Sequence, residues 1–234
     1  MREQPMALVI AVDGPSGSGK STVSRRVAAA LGLAYLDTGA MYRAATWWCL
    51  HEGVDLGDRE ATVAAVRTMP LVVGLDPQAP SFTVADHDVS TDIRATAISE
   101  RVSAVATNLE ARAALGAAQR AVIEAERGPG GWAGGRGVVV EGRDITTVIA
   151  PDADARILLT ASEEARLTRR ALEVHGSADG AAVAATRDQV VRRDEQDSTV
   201  VEFRTAADGV TTIDSSGLDL DQTVAAVLAV VTRG

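Results

Sequence analysis

A chain of 234 residues with 46% hydrophobic residues can bury a sizeable core, and its formal net charge of −9 excludes a general nucleic-acid binder, which needs a basic field to displace counterions. Cys49 is the single cysteine, so no internal disulfide can form, and a reducing, cytoplasmic setting is expected. No apolar run approaches a membrane span and MREQP is a poor start for a signal peptide, so the expected partners are small molecules, with no nucleic acid, no membrane and a monomeric chain.

In chain order, the first element is an apolar strand over residues 7–12 that breaks into a glycine-rich turn. Gly14, Gly19, Lys20 and Ser21 fill the G-x-x-x-x-G-K-[ST] spacing. Glycines allow several consecutive backbone N–H groups to point into one concave nest, where they hydrogen-bond phosphate oxygens. The cradle is therefore Gly14, Pro15, Ser16, Gly17, Ser18, Gly19, Lys20, Ser21 and Thr22, with Lys20 reaching the outer phosphates of a nucleoside triphosphate and Ser21 a ligand for Mg²⁺. Val23, Val27 and Leu31 fall on one helical face behind it, and Gly32 stops the helix.

Residues 33–36 form a second short strand ending in Asp37, followed by a helical pattern through Met41, Ala44, Ala45 and Trp48. Strand, helix, strand, helix implies a parallel sheet, whose ligands bind at the carboxyl ends of the strands. From about Leu71 the runs LVVGL, SFTVA and HDV read as a small antiparallel insert. A long helical segment from about Ala95 follows, with Ile98, Val102, Val105 and Leu109 on one face, and the pattern continues, with or without a break, through Leu115, Val122 and Ile123. GPGGWAGGRG, residues 128–137, is expected to be a flexible surface connection. Val138 to Val140 make a third buried strand ending in Glu141-Gly142-Arg143-Asp144, and a fourth follows at 156–159. A helix after Ser162 carries Arg166, Arg169 and Arg170; residues 179–200 are charged and largely helical, and a last strand and an amphipathic helix close the chain.

A phosphate cradle leaves open what receives the phosphate. Arg43 and Arg143, both close behind strand ends, supply the clustered positive charge that transfer between two anions requires. Arg166, Arg169, Arg170 and Arg193 add cations from a segment able to close over the site and exclude water.

The motifs IAVDGPSGSGKST at 10–22, YLDTGAMYRA at 35–44, DVSTDIR at 88–94, VVVEGRDITTVIAPDA at 138–153 and RRDEQDS at 192–198 resemble those of the bacterial cytidylate kinases, which are P-loop nucleoside monophosphate kinases. They span nearly the whole chain in family order, and DTGAMYR with EGRD is far more specific than the cradle. The resemblance implies a P-loop NTPase fold: a three-layer α/β/α core with a mainly parallel sheet, over residues 1–66 and 95–234, an antiparallel monophosphate-binding insert over 67–94 and a helical lid over about 166–204. It also implies transfer of the γ-phosphoryl group of ATP to CMP or dCMP. On the matching positions, Asp37, Tyr42 and Arg43 lie near the acceptor's phosphate and sugar, and Ser103, Arg112 and Asp144 hold the cytosine. Arg143 and Arg193 bind phosphate, and Asp197 takes a sugar hydroxyl. Asp37 and Glu141 are expected to organise Mg²⁺ through water or to orient Arg43 and Arg143. His51, His87 and His175 show no metal-ligand spacing.

Three departures from the family pattern stand out. Thr146 replaces a glycine and Ala150 an aromatic, so the loop beside Asp144 is expected to be strained or narrowed if the glycine's freedom is required. Val200 stands where the family places an arginine on the acceptor phosphate, and Arg204 is the nearby replacement. The glycine-rich segment is longer than the family connection. Two other readings stay open: another small-molecule P-loop kinase of the shikimate or gluconate type, and a non-catalytic nucleotide-binding switch. No Asn-Lys-x-Asp guanine-reading motif is present.

Overall fold

The computed structural model describes residues 7–232, except the side chains of Glu173, Asp188, Gln189, Arg192 and Arg193. In chain order the elements are β1 (Leu8–Asp13), α1 (Lys20–Leu31), β2 (Ala34–Asp37), α2 (Thr38–His51), α3 (Arg59–Thr68), β3 (Leu71–Gly74), β4 (Ser81–Val84) and β5 (His87–Asp88). Short helices α4 (Thr96–Ser99) and α5 (Val102–Ala106) lead to α6 (Leu109–Arg127). The remainder is β6 (Gly137–Gly142), a π-helical turn (Ile145–Ile149), β7 (Ala155–Thr160), α7 (Glu163–His175), α8 (Gly180–Ser198), β8 (Thr211–Asp214) and α9 (Leu220–Val231).

Five strands form one sheet in the order β2-β6-β1-β7-β8, flanked by helices. Its registers are parallel where β1 meets β7, with Asp13 opposite Leu158, and where β7 meets β8. Parallel strands are covered on both faces and read as continuous apolar runs, which is why β1 is buried from Val9 to Asp13 and β6 throughout. A second sheet, β3-β4-β5, is antiparallel. The β4–β5 turn puts Ala85 and Asp86 at positive φ, as a two-residue hairpin turn of this hand requires.

The chain divides into two compact units. One holds Leu8 and Gly32–Val138, the other Val9–Leu31 and the chain from Val139 onward. The first is cored by Ala45, Cys49, Val63, Val66, Val105, Ala111 and Leu115. Cys49 is thus a small core hydrophobe, and burial pushes its thiol up to about 11. In the second, Ile10, Val12, Val27, Ile157, Leu159 and Val227 are fully buried. Helix starts are set by local chemistry: Asp37, Asp58, Asn108, Ser162, Asp179 and Asp219 each accept a hydrogen bond from a backbone N–H of the first turn. Among the described residues no helix is long and apolar enough to cross a membrane.

Three sequence expectations change. The long helical segment from Ala95 is broken into three helices, and Leu109, expected on its buried face, is 64% exposed. Asn108 restarts the helix by capping Ala111, so Leu109 opens a new first turn with a new phase. Helix α3 precedes the insert unannounced. The glycine-rich stretch is anchored: the buried carboxylate of Glu126 accepts the N–H groups of Trp132 and Ala133 at 2.8 and 3.0 Å, and the Arg136 carbonyl accepts from Leu8 N–H. Its last glycine, Gly137, already belongs to β6.

Candidate active site

In the second unit, β1 delivers the chain into the cradle at Gly14 and α1 takes it away at Lys20. Two glycines are demanded by close approach. A Cβ on Gly14 would lie 2.2 Å from the Leu159 carbonyl oxygen, and one on Gly17, at φ +76°, would lie 2.5 Å from that of Arg166. Lys20 Nζ donates to the Pro15 carbonyl at 3.4 Å and lies 4.0 Å from Glu141. Ser21 Oγ donates to Glu141 Oε1 at 2.6 Å. A hydroxyl and a carboxylate side by side at a strand end are hard oxygen donors, the set Mg²⁺ takes when phosphates and water complete its octahedron. Among the described residues no cluster of three or more His, Cys, Asp or Glu could hold a metal.

Behind β6, Arg143 donates to the Gly14 carbonyl and to Asp194 Oδ1, both at 3.0 Å, and lies 3.1 Å from Asp197 Oδ2. Its guanidinium stacks over Phe203, 4.3 Å from the ring centroid. Arg166 donates to the Ser16 carbonyl at 3.0 Å and to Asp194 Oδ2. Asp194, to which the sequence alone assigns no role, is only 3% exposed. Its sequence signals are its place in the RRDEQDS motif and its spacing three residues before Asp197, on the same helical face. Arg169 ties α7 to the cradle and to the end of β8, donating to the carbonyls of Ser18 and Ser215. The backbone of Arg193 lies in α8; its side chain is outside the described residues.

Asp144 stands buried at the entrance of the π-helical turn. That turn hangs on Asp13: the N–H groups of Ile145 and Thr146 and the Thr146 hydroxyl all donate to its carboxylate, at 2.9, 2.8 and 2.7 Å. Burial pushes the Asp13 carboxyl above its ordinary range, opposed by these hydrogen bonds and assisted by neighbouring Asp144. The expected strain at Thr146 is therefore absent. Among the described residues only Ala85 and Asp86 are non-glycines at positive φ, and the added side chain supplies a third donor to a buried carboxylate. Replacing Thr146 by valine, which keeps the shape and removes the hydroxyl, is expected to cost about 1–2 kcal/mol of unfolding free energy in urea titration. Equal stability of the two proteins would refute the assignment.

In the first unit, Asp37 caps α2 through Ala40 N–H at 2.7 Å and holds Arg43 at 3.2 Å. Arg112 donates to the Ala106 carbonyl at 3.0 Å, with its guanidinium 5.7 Å from the Tyr42 ring centroid. Ser103 is buried on α5. The sequence-predicted residues of this unit thus form two pairs, Asp37 with Arg43 and Tyr42 with Arg112.

Comparison with known proteins decides the family. The family model for cytidylate kinase matches residues 10–233. The chain belongs to the cytidylate kinase family. A cytidylate kinase from Nocardia farcinica is 47% identical over 228 residues, covering 97% of this chain and 94% of the relative. One from Streptomyces griseus is 45% identical over 226 residues, covering 96% and 93%. One from Cutibacterium acnes is 45% identical, covering 96% of each.

Proposed function

We propose that this protein transfers the γ-phosphoryl group of ATP to CMP or dCMP, giving ADP and CDP or dCDP, with Mg²⁺, as part of pyrimidine nucleotide metabolism. Beside family membership, the observation that carries this is Arg143, held by the Gly14 carbonyl on one side and by Asp194 and Asp197 on the other. A guanidinium fixed at the rim of a phosphate nest meets the charge that spreads over the phosphoryl oxygens in the transition state.

An oxygen of the CMP phosphate forms the new bond to the γ-phosphorus while the bond to the β–γ bridging oxygen breaks, and the electron pair leaves with ADP. The acceptor oxygen is already anionic, so no side chain needs to act as base. Loop N–H groups and Lys20 hold the donor phosphates. Ser21, with Glu141 beside it, would hold Mg²⁺, which supplies charge neutralisation on the phosphates. In the first unit, Asp37, Tyr42 and Arg43 take the acceptor's phosphate and sugar. Ser103 and Arg112 offer donors to N3 and O2 of cytosine, and Asp144 accepts its N4 amino group. Uracil would set its O4 acceptor against that carboxylate and be disfavoured. Arg143 and Arg193 bind phosphate, and Asp197 takes a sugar hydroxyl. Residues 166–204, mainly α7 and α8, act as the lid, and 67–94 as the monophosphate-binding insert.

Arg204 stands in for the arginine missing at Val200. A cavity of about 340 Å³ is lined by Pro15, Thr160, Arg166, Asp194, Glu195 and Arg204 among others. The segment is fixed by Phe203, buried under Arg143, and by Glu202, which accepts the N–H groups of Arg204 and Thr205 at 2.7 and 3.1 Å. Arg204→Ala is expected to lower kcat/KM for CMP about tenfold, a modest share of what one fixed transition-state donor supplies. An unchanged rate and CMP affinity would remove Arg204 from the site.

The test of the whole reading is a panel in which purified protein, ATP and Mg²⁺ meet CMP, dCMP, UMP, AMP and shikimate. CMP and dCMP are expected to be the preferred acceptors. ADP formed equally fast without any acceptor would sink the kinase reading, and preference for UMP would sink the base assignment alone.

A further inference from the structure

Asp194 makes a bridge that the proposed reaction does not by itself call for. Its Oδ1 accepts from Arg143 at 3.0 Å and from Ser16 N–H at 3.2 Å, and its Oδ2 accepts from Arg166. Each arginine is gripped a second time by the cradle, Arg143 by the Gly14 carbonyl and Arg166 by the Ser16 carbonyl, both at 3.0 Å. Each guanidinium is thus held between a loop carbonyl and one oxygen of the same carboxylate, Arg143 through both terminal nitrogens and Arg166 through the two N–H groups of Nη1. A guanidinium carries its donors in a rigid plane, so fixing two of them sets the direction of the rest.

Charge explains why a carboxylate is needed there. The two side chains are each 14% exposed and face the same oxygen pair, so with no anion between them they would repel in a poorly solvated site. Asp194 is 3% exposed and its helix is pinned at that turn by Ser198 Oγ, which donates to the Asp194 carbonyl at 2.6 Å. The carboxylate cannot swing to solvent without breaking the bridge.

We propose that Asp194 is a positioning residue for phosphoryl transfer: it holds Arg143 and Arg166 together at the cradle before substrate arrives, so that both cations meet the transferred phosphoryl group without reorganising. This rests on the phosphotransferase reading above. Preorganised donors act on the transition state more than on ground-state binding, so the loss on removing their organiser falls on kcat.

The experiment is a double-mutant cycle on the full chain, Asp194→Asn, Arg166→Ala and the pair, with kcat and both KM values measured beside wild type. Asp194→Asn is expected to lower kcat about 30-fold while KM for ATP and for CMP moves less than about threefold. In the Arg166→Ala background the same change is expected to cost less, about tenfold, because the share of its effect carried by Arg166 is already gone while the share carried by Arg143 remains. A kcat within threefold of wild type, or two losses that simply multiply, would overturn the proposal. So would a kcat loss matched by a rise in both KM values and a lowered melting temperature, the mark of a merely structural role. If Asp194→Asn does not fold, Asp194→Glu, which keeps the charge and shifts it by one methylene, is read by the same criteria. A wild type inactive on every acceptor in the panel refutes the underlying reading; an active wild type with an unaffected Asp194→Asn refutes this inference alone.

Discussion

Asp13→Ala is expected to lower the unfolding free energy by about 4 kcal/mol, because three buried donors lose their acceptor in one step. The Ile145 and Thr146 N–H groups and the Thr146 hydroxyl converge on this one carboxylate, which is 3% exposed, so water cannot take its place without opening the turn. Asp13→Asn keeps one acceptor oxygen but turns an amide donor toward a donor, and about half that loss is expected. Urea titration of the full chain measures both, and a loss below about 1 kcal/mol for the alanine variant would mean that the turn does not depend on Asp13. The pH dependence has a definite sign. Burial raises the carboxyl above its ordinary value of 3.8 in the folded state, so its stabilisation is complete below that value and is lost as pH rises through the folded-state pKa. The stability advantage of wild type over the non-titrating Asp13→Asn should therefore shrink from below pH 3.8 toward neutrality; an advantage that grows over that range would show that the hydrogen bonds outweigh burial.

The same turn shows where sequence reasoning stops. The cradle was legible because its chemistry is local: glycines, lysine and serine within a few residues, between an apolar strand and a helix of the right period. Asp13 and Thr146 are joined across 133 residues, and nothing near Thr146 announces a buried carboxylate. Read locally, a threonine in a glycine's place looked like strain; in the fold it is a donor. Asp194 was hidden for a similar reason, since its partner Ser16 is 178 residues away. In an Arg-Arg-Asp-Glu run any one acid looks like part of a solvated helix face. His51 and His87, without metal-ligand spacing in the chain, meet at 5.5 Å between ring centroids, with Trp47 stacked on His51 at 4.7 Å.

Helix boundaries failed on short-range competition. The spacing of Ile98, Val102, Val105 and Leu109 fits one face of a continuous helix, but an asparagine that can cap the next turn offers the backbone another start. Helix α3 hid because REATVAAVRT carries only Val63 and Val66 as large apolar residues, too sparse a stripe to read until α2 and α6 supply its partners. In the glycine-rich stretch, composition pointed to freedom, and a single buried glutamate at the end of α6 removes it.

Arg143→Ala is expected to cut kcat/KM for CMP by about 10²–10³-fold, the largest catalytic loss among these variants, because it removes a preorganised donor from the transition state. Three features of its setting separate it from a replaceable surface cation. One fork nitrogen is committed to the Gly14 carbonyl, the other lies between Asp194 and Asp197, and the flat face rests on Phe203. A lysine ammonium supplies the same charge but cannot span two acceptor groups in a fixed plane or stack as the guanidinium does. Arg143→Lys is therefore expected to recover less than about tenfold of the loss. A coupled assay of ADP release, run against CMP and against ATP separately, reads both variants. If lysine restored full activity, only charge would matter at this position, and the geometry that Asp194 imposes on Arg143 would have no kinetic consequence.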